Sequence, residues 1–206
     1  MILYFLIAML LSFIGSLPFG MINMAVAHTA IQKGVRSGVW MGIGAAIVEF
    51  FQVFISLKFT WLFEKGTRLG EIFQIIALIV FFIAGIYFFF FAKAKSKKIK
   101  DKSGSSRRNE FFKGMFISSL NLVVFPYWIF YGTLLTANDL LERSDACVAI
   151  FSLGAMTGAF GLLVAYAYLG AKILSKSEQV TKWVNKFIGA VLMGFGIYQL
   201  IQWLNG

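Results

Sequence analysis

One acidic residue of this sequence lies in the middle of a long apolar segment. Eight of the nine Asp and Glu residues fall between apolar segments or at their ends, whereas Glu49 lies inside the segment 38–57. If this segment crosses a membrane, a charged side chain there costs about 2.5–3.5 kcal/mol and is seldom present without a function. Glu49 can take up a proton or attract a substrate ammonium group. The alternative is a neutral, protonated carboxyl group that only hydrogen-bonds a neighbouring helix.

Three amide side chains accompany Glu49 as candidate substrate or coupling residues. With about 100° per residue, Gln52 shares the helix face of Glu49 with small residues, while the opposite face is aromatic and aliphatic. Asn23 and Asn121 lie in the first and fourth apolar segments. These two amides either orient a substrate or only hydrogen-bond one helix to the next.

Both prolines of the chain interrupt long apolar segments. Pro18, followed closely by Gly20, lies in the first segment, and Pro126 lies in the fourth. Because proline lacks an amide hydrogen and clashes with the carbonyl four residues back, we expect free carbonyls at Ile14 and Leu122. Helix breaks at related places in two halves of a chain indicate a transporter site, and Pro18, Gly20 and Pro126 are its candidate break or gating residues. Two ordinary kinks are the alternative.

The composition is that of an integral membrane protein. Of 206 residues, 59% are hydrophobic, 17% aromatic and only 14% charged, and the mean hydropathy is +0.80. A soluble domain is nearer half apolar and a quarter charged. Apolar segments of membrane-spanning length, about 20 residues, cover 2–30, 38–57, 72–92, 111–137, 146–170 and 183–204. We therefore predict an all-α integral membrane protein with six transmembrane helices and no separate catalytic domain.

Two halves of the chain resemble each other. Short matches recur in the same order at offsets of 103 to 111 residues: Phe13–Leu17 with Phe116–Leu120, Gly44–Ala45 with Gly154–Ala155, and Gly85–Tyr87 with Gly196–Tyr198. A half with three crossings inserts its second copy upside down, which gives a 3+3 inverted-topology repeat typical of secondary transporters. The predicted organisation is a first repeat over 1–92, a basic cytoplasmic linker over 93–110 and a second repeat over 111–206.

The distribution of Lys and Arg predicts how the chain is oriented. Fifteen of the 19 basic residues fall in the gaps between segments one and two, three and four, and five and six. By the positive-inside rule these gaps face the cytoplasm and both termini lie outside. The 93–113 loop is expected to contact anionic lipid headgroups rather than nucleic acid. No Lys or Arg precedes Lys33, so we expect an uncleaved first helix and not a signal peptide.

The single cysteine and the single histidine exclude several kinds of site. One Cys cannot form an intramolecular disulfide or a multi-cysteine metal site, and one His cannot form a histidine-rich metal site. No paired carboxylates and no nucleophile motif lie within an apolar segment. We therefore expect no enzyme, no cofactor and no resident metal.

Several stretches resemble the lysine-exporter-type (LysE/RhtB) amino acid translocators. The residues Ser16–Phe50 are similar to the opening of that family, with a proline–glycine element, a basic glycine-containing turn and a glycine-rich helix that carries an acidic residue. Asn121–Trp128 resembles its Asn-Pro segment, and Gly189–Ile201 resembles its end. Leu122 stands where the family usually has proline, and Glu49 where aspartate is more usual. The resemblance implies efflux of amino acids or related small metabolites, coupled to the proton motive force.

Three functions remain open. The first is a secondary exporter of an amino acid or zwitterion that works by alternating access. It would lie in the cell membrane, the inner membrane of a bacterium, and is compatible with a homodimer. The second is a cation exporter, although a lone carboxylate supplies few of the oxygen ligands that a divalent ion requires. The third is a non-transporting membrane scaffold. A scaffold explains the glycine pairs Gly38–Gly42 and Gly154–Gly158, which permit close helix contact, but not Glu49.

Overall fold

The computed structural model describes residues 1–17, 20–60, 106–142 and 144–174, together with isolated positions between 79 and 90 and between 186 and 201. Regular structure in these ranges is entirely helical: α1 (Ile2–Gly15), α2 (Met21–Lys33), α3 (Val35–Lys58), α4 (Arg107–Ser119), α5 (Val124–Ala137) and α6 (Asp145–Leu174). The predicted all-α class is confirmed for this part of the chain. The predicted segments 72–92 and 183–204 lie outside the described residues, apart from the isolated positions.

Two of the helices are long and apolar enough to cross a membrane. They are α3, with a mean hydropathy of 1.7, and residues Asp145–Gly170 of α6, with 2.1. A third candidate span consists of α4 and α5 together, which meet at an angle of 65°. The predicted segments 38–57 and 146–170 are therefore single helices, whereas 2–30 and 111–137 each divide into two.

Helix α3 lies at the centre of the described helices and contacts α2, α4, α5 and α6. It joins two apolar clusters. Met41 and Ala45 pack with α2 and α6 in one cluster, and Val53 and Leu57 pack with α1, α5 and α6 in the other. The stretch 46–52 of α3 lies between the two clusters and carries the candidate polar residues.

Close backbone contacts hold two pairs of helices. A Cβ atom at any of four glycines would overlap a backbone carbonyl oxygen of the facing helix: Gly154 and Gly158 of α6 facing α1, and Gly44 and Gly114 where α3 meets α4. Because lipid is as apolar as a leucine side chain, helices in a membrane associate through this kind of close packing. The contact expected at Gly154 and Gly158 is present between α1 and α6.

A single residue, Gly34, joins α2 to α3. Its φ of +89° is one that residues with a side chain rarely adopt. Ser37 N–H donates to the Gly34 carbonyl at 3.0 Å and closes the first turn of α3. The tight turn places Lys33 beside α4, where its Nζ lies 2.9 Å from Glu110 Oε1.

Contacts divide the chain into two compact units. One is Met1–Lys58 with Ser96–Ser177, and the other is Phe59–Lys95 with Glu178–Gly206. The six described helices all belong to the first unit. Helix α4 begins at Arg107 and therefore inside the predicted linker 93–110. The division into repeats 1–92 and 111–206 stays a prediction.

Candidate functional site

Glu49 of α3 contacts α1 through one hydrogen bond. Ser12 Oγ donates to Glu49 Oε1 at 2.8 Å. Ser12 is buried and Glu49 is partly buried. Among the described residues, Glu49 makes no further hydrogen bond and no ion pair. The second carboxylate oxygen, Oε2, is therefore available to a proton or a ligand.

Gln52 lies one turn further along α3 and is only 5% exposed. Its Nε2 donates to the backbone carbonyls of Ser118 at 3.3 Å and Asn121 at 3.5 Å. Its Oε1 is buried and accepts no hydrogen bond within the described ranges. A buried carbonyl oxygen without a partner costs about 1–3 kcal/mol. Gln52 Oε1 is thus a second acceptor without a partner among the described residues, one helical turn from the first.

The break between α4 and α5 lies directly against α3. The Ser118 carbonyl accepts the Asn121 N–H at 3.0 Å, so the chain turns immediately after α4. Ser118 Oγ donates in addition to the Ala45 carbonyl of α3 at 3.1 Å. The Asn121 side chain is partly exposed and makes no hydrogen bond to the described part of the chain. Its amide can therefore donate to a ligand at the break.

The break between α1 and α2 is held by two polar side chains. Asn23 Nδ2 donates to the Ser16 carbonyl at 2.7 Å, and the Tyr166 hydroxyl of α6 donates to the Leu17 carbonyl at 3.0 Å. Asn23 and Tyr166 are also hydrogen-bonded to each other. Asn23 is buried. Asn23 and Tyr166 together hold two consecutive carbonyls of the break.

The residues predicted to break the helices lie at or near the observed breaks. Gly20 immediately precedes α2 in an extended conformation, with φ −69° and ψ 165°. Pro126 is the third residue of α5, where an amide hydrogen has no acceptor within the helix, so proline is tolerated. It therefore lies in the first turn of a helix rather than in the middle of a kinked one. Pro18 lies outside the described residues.

The expectation that these prolines free the carbonyls of Ile14 and Leu122 is wrong. The Ile14 carbonyl accepts the Leu17 N–H at 3.1 Å, and the Leu122 carbonyl accepts the Phe125 N–H at 3.3 Å. In both bonds the donor is three residues after the acceptor, so each bond closes a tight turn at the break. In a continuous α-helix each of these carbonyls would instead accept the N–H of the residue four positions later. At the two breaks, side chains of other helices bind the carbonyls of Ser16, Leu17, Ser118 and Asn121.

The model of the LysE type translocator family matches residues 13–202. The chain belongs to this family. Its members form a transporter family of integral membrane proteins, so the resemblance seen in the sequence is confirmed. No curated protein and no solved structure matches this LysE type translocator.

Two tyrosines of the LysE type translocator are part of the site but were absent from the predicted set. The Tyr127 hydroxyl donates to the Leu11 carbonyl at 2.8 Å, next to Ser12, and its ring lies against Gly15. Tyr166 holds the α1–α2 break. A tyrosine hydroxyl inside an apolar segment needs a hydrogen-bond partner, and this requirement is a signal that could have identified both.

The candidate residues of the translocator thus form two groups within the described helices. In the first group, Glu49 of α3 contacts α1, and Gln52 of α3 contacts the α4–α5 break, where Asn121 lies. Asn23 lies with Tyr166 at the α1–α2 break. Among the described residues, no group of three His, Cys, Asp or Glu side chains could hold a metal ion. The site therefore offers carboxylate, amide and backbone groups to a ligand.

Proposed function

We propose that this LysE type translocator exports amino acids or related small zwitterions across the cytoplasmic membrane by alternating access, coupled to the proton motive force. One observation carries the proposal. Glu49, the acidic residue in the middle of α3, is bonded only to the Ser12 hydroxyl among the described residues and lies on a helix that contacts a broken span. A carboxylate without a cation in this position is suited to bind one that arrives with the substrate.

The ammonium group of the substrate is proposed to bind to α3. Glu49 Oε2 and Gln52 Oε1 are three residues apart, so they are neighbours on one helix face. Both are acceptors without a partner among the described residues. An ammonium group carries three N–H donors and satisfies both at once. A neutral substrate would leave the charge of Glu49 unbalanced.

The carboxylate of the substrate is proposed to bind where the second helix of a broken pair begins. Helices α2 and α5 start immediately after the breaks, at Met21 and Val124. The N–H groups of Met21 and Ile22 of α2 have no acceptor among the described residues, and the positive end of the α2 dipole favours an anionic group. At α5 the N–H groups of Val124 and Phe125 already donate to the Asn121 and Leu122 carbonyls, and Pro126 has none, so α5 contributes only its dipole. Discontinuous helices of transporters bind substrate carboxylates in this way. The Asn121 side chain supplies a further donor next to α5.

Proton coupling follows from competition at Glu49. Ionised Glu49 binds the substrate ammonium in the state that faces the cytoplasm. After release outside, the carboxylate takes a proton, which makes it neutral and permits the empty carrier to reorient. The proton then leaves to the cytoplasm and restores the binding form. One proton enters for each substrate that leaves, so an inward proton gradient drives export.

A reciprocal arrangement of the two breaks supports the inverted repeat that this mechanism requires. Gln52, from the predicted first half, donates to the α4–α5 break of the second half. Tyr166, from the predicted second half, donates to the α1–α2 break of the first. The glycine contacts pair α3 with α4 and α6 with α1, so the second predicted span of each half packs against the first span of the other.

Counterflow in proteoliposomes tests the proposal. A panel of amino acids is screened with and without a pH gradient, with wild type beside Glu49→Gln and beside Glu142→Gln, a control at an exposed glutamate. We expect a substrate whose flux the gradient increases in wild type and in the control. In Glu49→Gln the flux should fall at least about tenfold, the loss expected for a charged hydrogen-bond partner, and its dependence on the gradient should disappear.

Two results would contradict the proposal. Equal flux and equal pH dependence in Glu49→Gln would remove Glu49 from coupling. No flux for any member of the panel, with protein that elutes as a single species, would remove amino acids as substrates, and the same assay with divalent cations would then test the cation exporter.

A further inference from the structure

The outer surface of α3 and α4 carries a groove next to the start of α4. Its volume is about 490 Å³, and it is lined by Trp40 of α3 and by Arg107, Arg108, Phe111 and Phe112 of α4. A second groove of about 510 Å³ lies along the same helix, lined by Asn109, Phe112, Lys113, Phe116 and Ile117. Phe112 lines both grooves.

We propose that these two grooves together bind one anionic phospholipid, with its phosphate on Arg107 and Arg108 and its two acyl chains on either side of Phe112. This lipid site is independent of the substrate site around Glu49. It also differs from a general attraction of the basic 93–113 loop to a charged membrane surface, because the phosphate and each acyl chain have a defined position.

The charges of the first groove are complementary to a phosphate. Arg107 and Arg108 are exposed and form no ion pair with any described carboxylate. No acidic residue of the described part of the chain lines the groove. Glu110, the nearest acidic residue along α4, is fully buried and directs its carboxylate to Lys33 at 2.9 Å. The planar guanidinium groups can each donate two parallel hydrogen bonds to phosphate oxygens.

The aromatic lining indicates that the phosphate is attached to acyl chains. The side chains that line the grooves are exposed: Trp40 is 40% exposed, Phe112 55% and Phe116 66%. Free phosphate would contact the arginines and leave these side chains uncovered. Tryptophan is enriched where lipid headgroups meet acyl chains, so Trp40 fits the boundary between the polar and apolar parts of a lipid.

A lipid at this site would contact α4, the first helix of the broken span. Phe111 provides the carbonyl against which Gly44 of α3 packs, and its side chain lines the first groove. The lipid would therefore lie along the α3–α4 contact, on the helix that leads to the break at Asn121. Binding there is expected to stabilise the folded translocator.

Lipid titration of the purified full-length protein tests the site. The shift of the melting temperature in neutral detergent, together with bound lipid counted by native mass spectrometry, is measured with phosphatidylglycerol, phosphatidylcholine and glycerol 3-phosphate. The variants are Arg107→Gln/Arg108→Gln, Arg108→Gln, Phe112→Ala and Arg36→Gln, which removes one exposed positive charge outside the grooves. Arg107→Lys/Arg108→Lys retains the charge but loses the paired donors.

We expect phosphatidylglycerol alone to stabilise wild type. Its apparent dissociation constant should rise at least tenfold in Arg107→Gln/Arg108→Gln, severalfold in Arg108→Gln and in Phe112→Ala, and less than twofold in Arg36→Gln. Partial loss in the Lys pair would support guanidinium recognition.

Three results would overturn the proposal. Equal stabilisation by phosphatidylcholine would show that the headgroup charge is not recognised. Equal stabilisation by glycerol 3-phosphate would identify a site for a free anion. An equal loss in Arg36→Gln and Arg108→Gln would show attraction to net charge and not to this groove.

Discussion

Two glutamates lie among the described helices, and their partners indicate different roles. Glu110 is fully buried and pairs with Lys33 at 2.9 Å and with Lys113 at 3.5 Å. Glu49 is partly buried and has a hydroxyl partner from Ser12. Taking a carboxylate out of water is costly unless a cation compensates for it. Glu110 is compensated by two lysines, whereas Glu49 has no cation beside it among the described residues, which is the condition that the proposed binding of a proton or a substrate ammonium requires.

Removing one partner of the Glu110–Lys33 pair should destabilise the protein more than removing both. Glu110→Leu leaves the Lys33 ammonium, only 11% exposed, without its carboxylate. Loss of one partner of a buried pair costs about 3–5 kcal/mol, whereas replacing both with apolar residues is often neutral. Melting temperatures in detergent micelles should therefore fall for Glu110→Leu and for Lys33→Leu and recover in the double variant.

Lys113→Leu provides the control for this cycle. Lys113 is 42% exposed and lies 3.5 Å from Glu110, so solvent screens the pair. Its loss should cost at most about 1 kcal/mol. Additive losses in the Lys33 and Glu110 double variant would show that the two side chains do not compensate each other.

Each break in a span depends on a side chain from a distant part of the chain. Tyr166 lies 149 residues from Leu17, whose carbonyl it binds, and Gln52 lies 66 residues from Ser118. Because these bonds are made between helices and not within them, the geometry of each break is a property of helix packing. A substitution on one helix should therefore change transport through another.

Loss of the Tyr166 hydroxyl should impair transport without unfolding the protein. Tyr166→Phe removes the donor to the Leu17 carbonyl, a bond that contributes about 0.5–1.5 kcal/mol. We expect counterflow to fall about three- to tenfold, in proportion to that free energy, and the elution profile to stay unchanged. Tyr168→Phe is the matched control, since Tyr168 is two residues away and 70% exposed. Equal flux in both variants would mean that this bond does not position the break.

The sequence allowed the positions of the breaks to be predicted, but not what holds them. Gly20 and Pro126 indicate interruptions because their backbone properties are local, and the structure places each at or next to the start of a helix. The predicted free carbonyls were wrong because Ile14 and Leu122 find amides three residues on. The bonding partners of Tyr166 and Glu110 could not be predicted because they are 149 and 77 residues away, a separation that no local pattern reveals.

At the scale of the whole molecule, two ion pairs agree with the prediction of which gaps lie on the same side of the membrane as each other. Lys33 pairs with Glu110, which joins the gaps before α3 and before α4 at one end of the described helices. Lys58 pairs with Asp145, which joins the end of α3 to the start of α6. The count of basic residues predicts that the gaps before α3 and before α4 face the cytoplasm, and that the gaps after α3 and before α6 face the outside. Each ion pair therefore connects two gaps that are predicted to lie on the same side.

The orientation of the broken span can be tested with two engineered cysteines. Ser106 and Asn138 flank α4 and α5 and are both exposed. If the two helices cross the membrane as one span, these positions lie on opposite sides, with Ser106 in the cytoplasm. If the 65° bend makes them a re-entrant loop, they lie on the same side. Cys147, which is 3% exposed, is replaced by Ala in both variants so that the engineered thiol alone is labelled.

A membrane-impermeant maleimide then distinguishes the two arrangements. We expect Asn138→Cys to be labelled in intact cells and Ser106→Cys only in inverted vesicles, with both labelled fully after solubilisation as the control for reactivity. Labelling of both in the same preparation would identify a re-entrant loop. An odd number of crossings would then separate the termini, and the three-crossing halves that an inverted repeat requires could not exist. Labelling of Ser106→Cys alone in intact cells would retain the crossing but reverse the orientation, so that the basic gaps and the proposed lipid site would face outward.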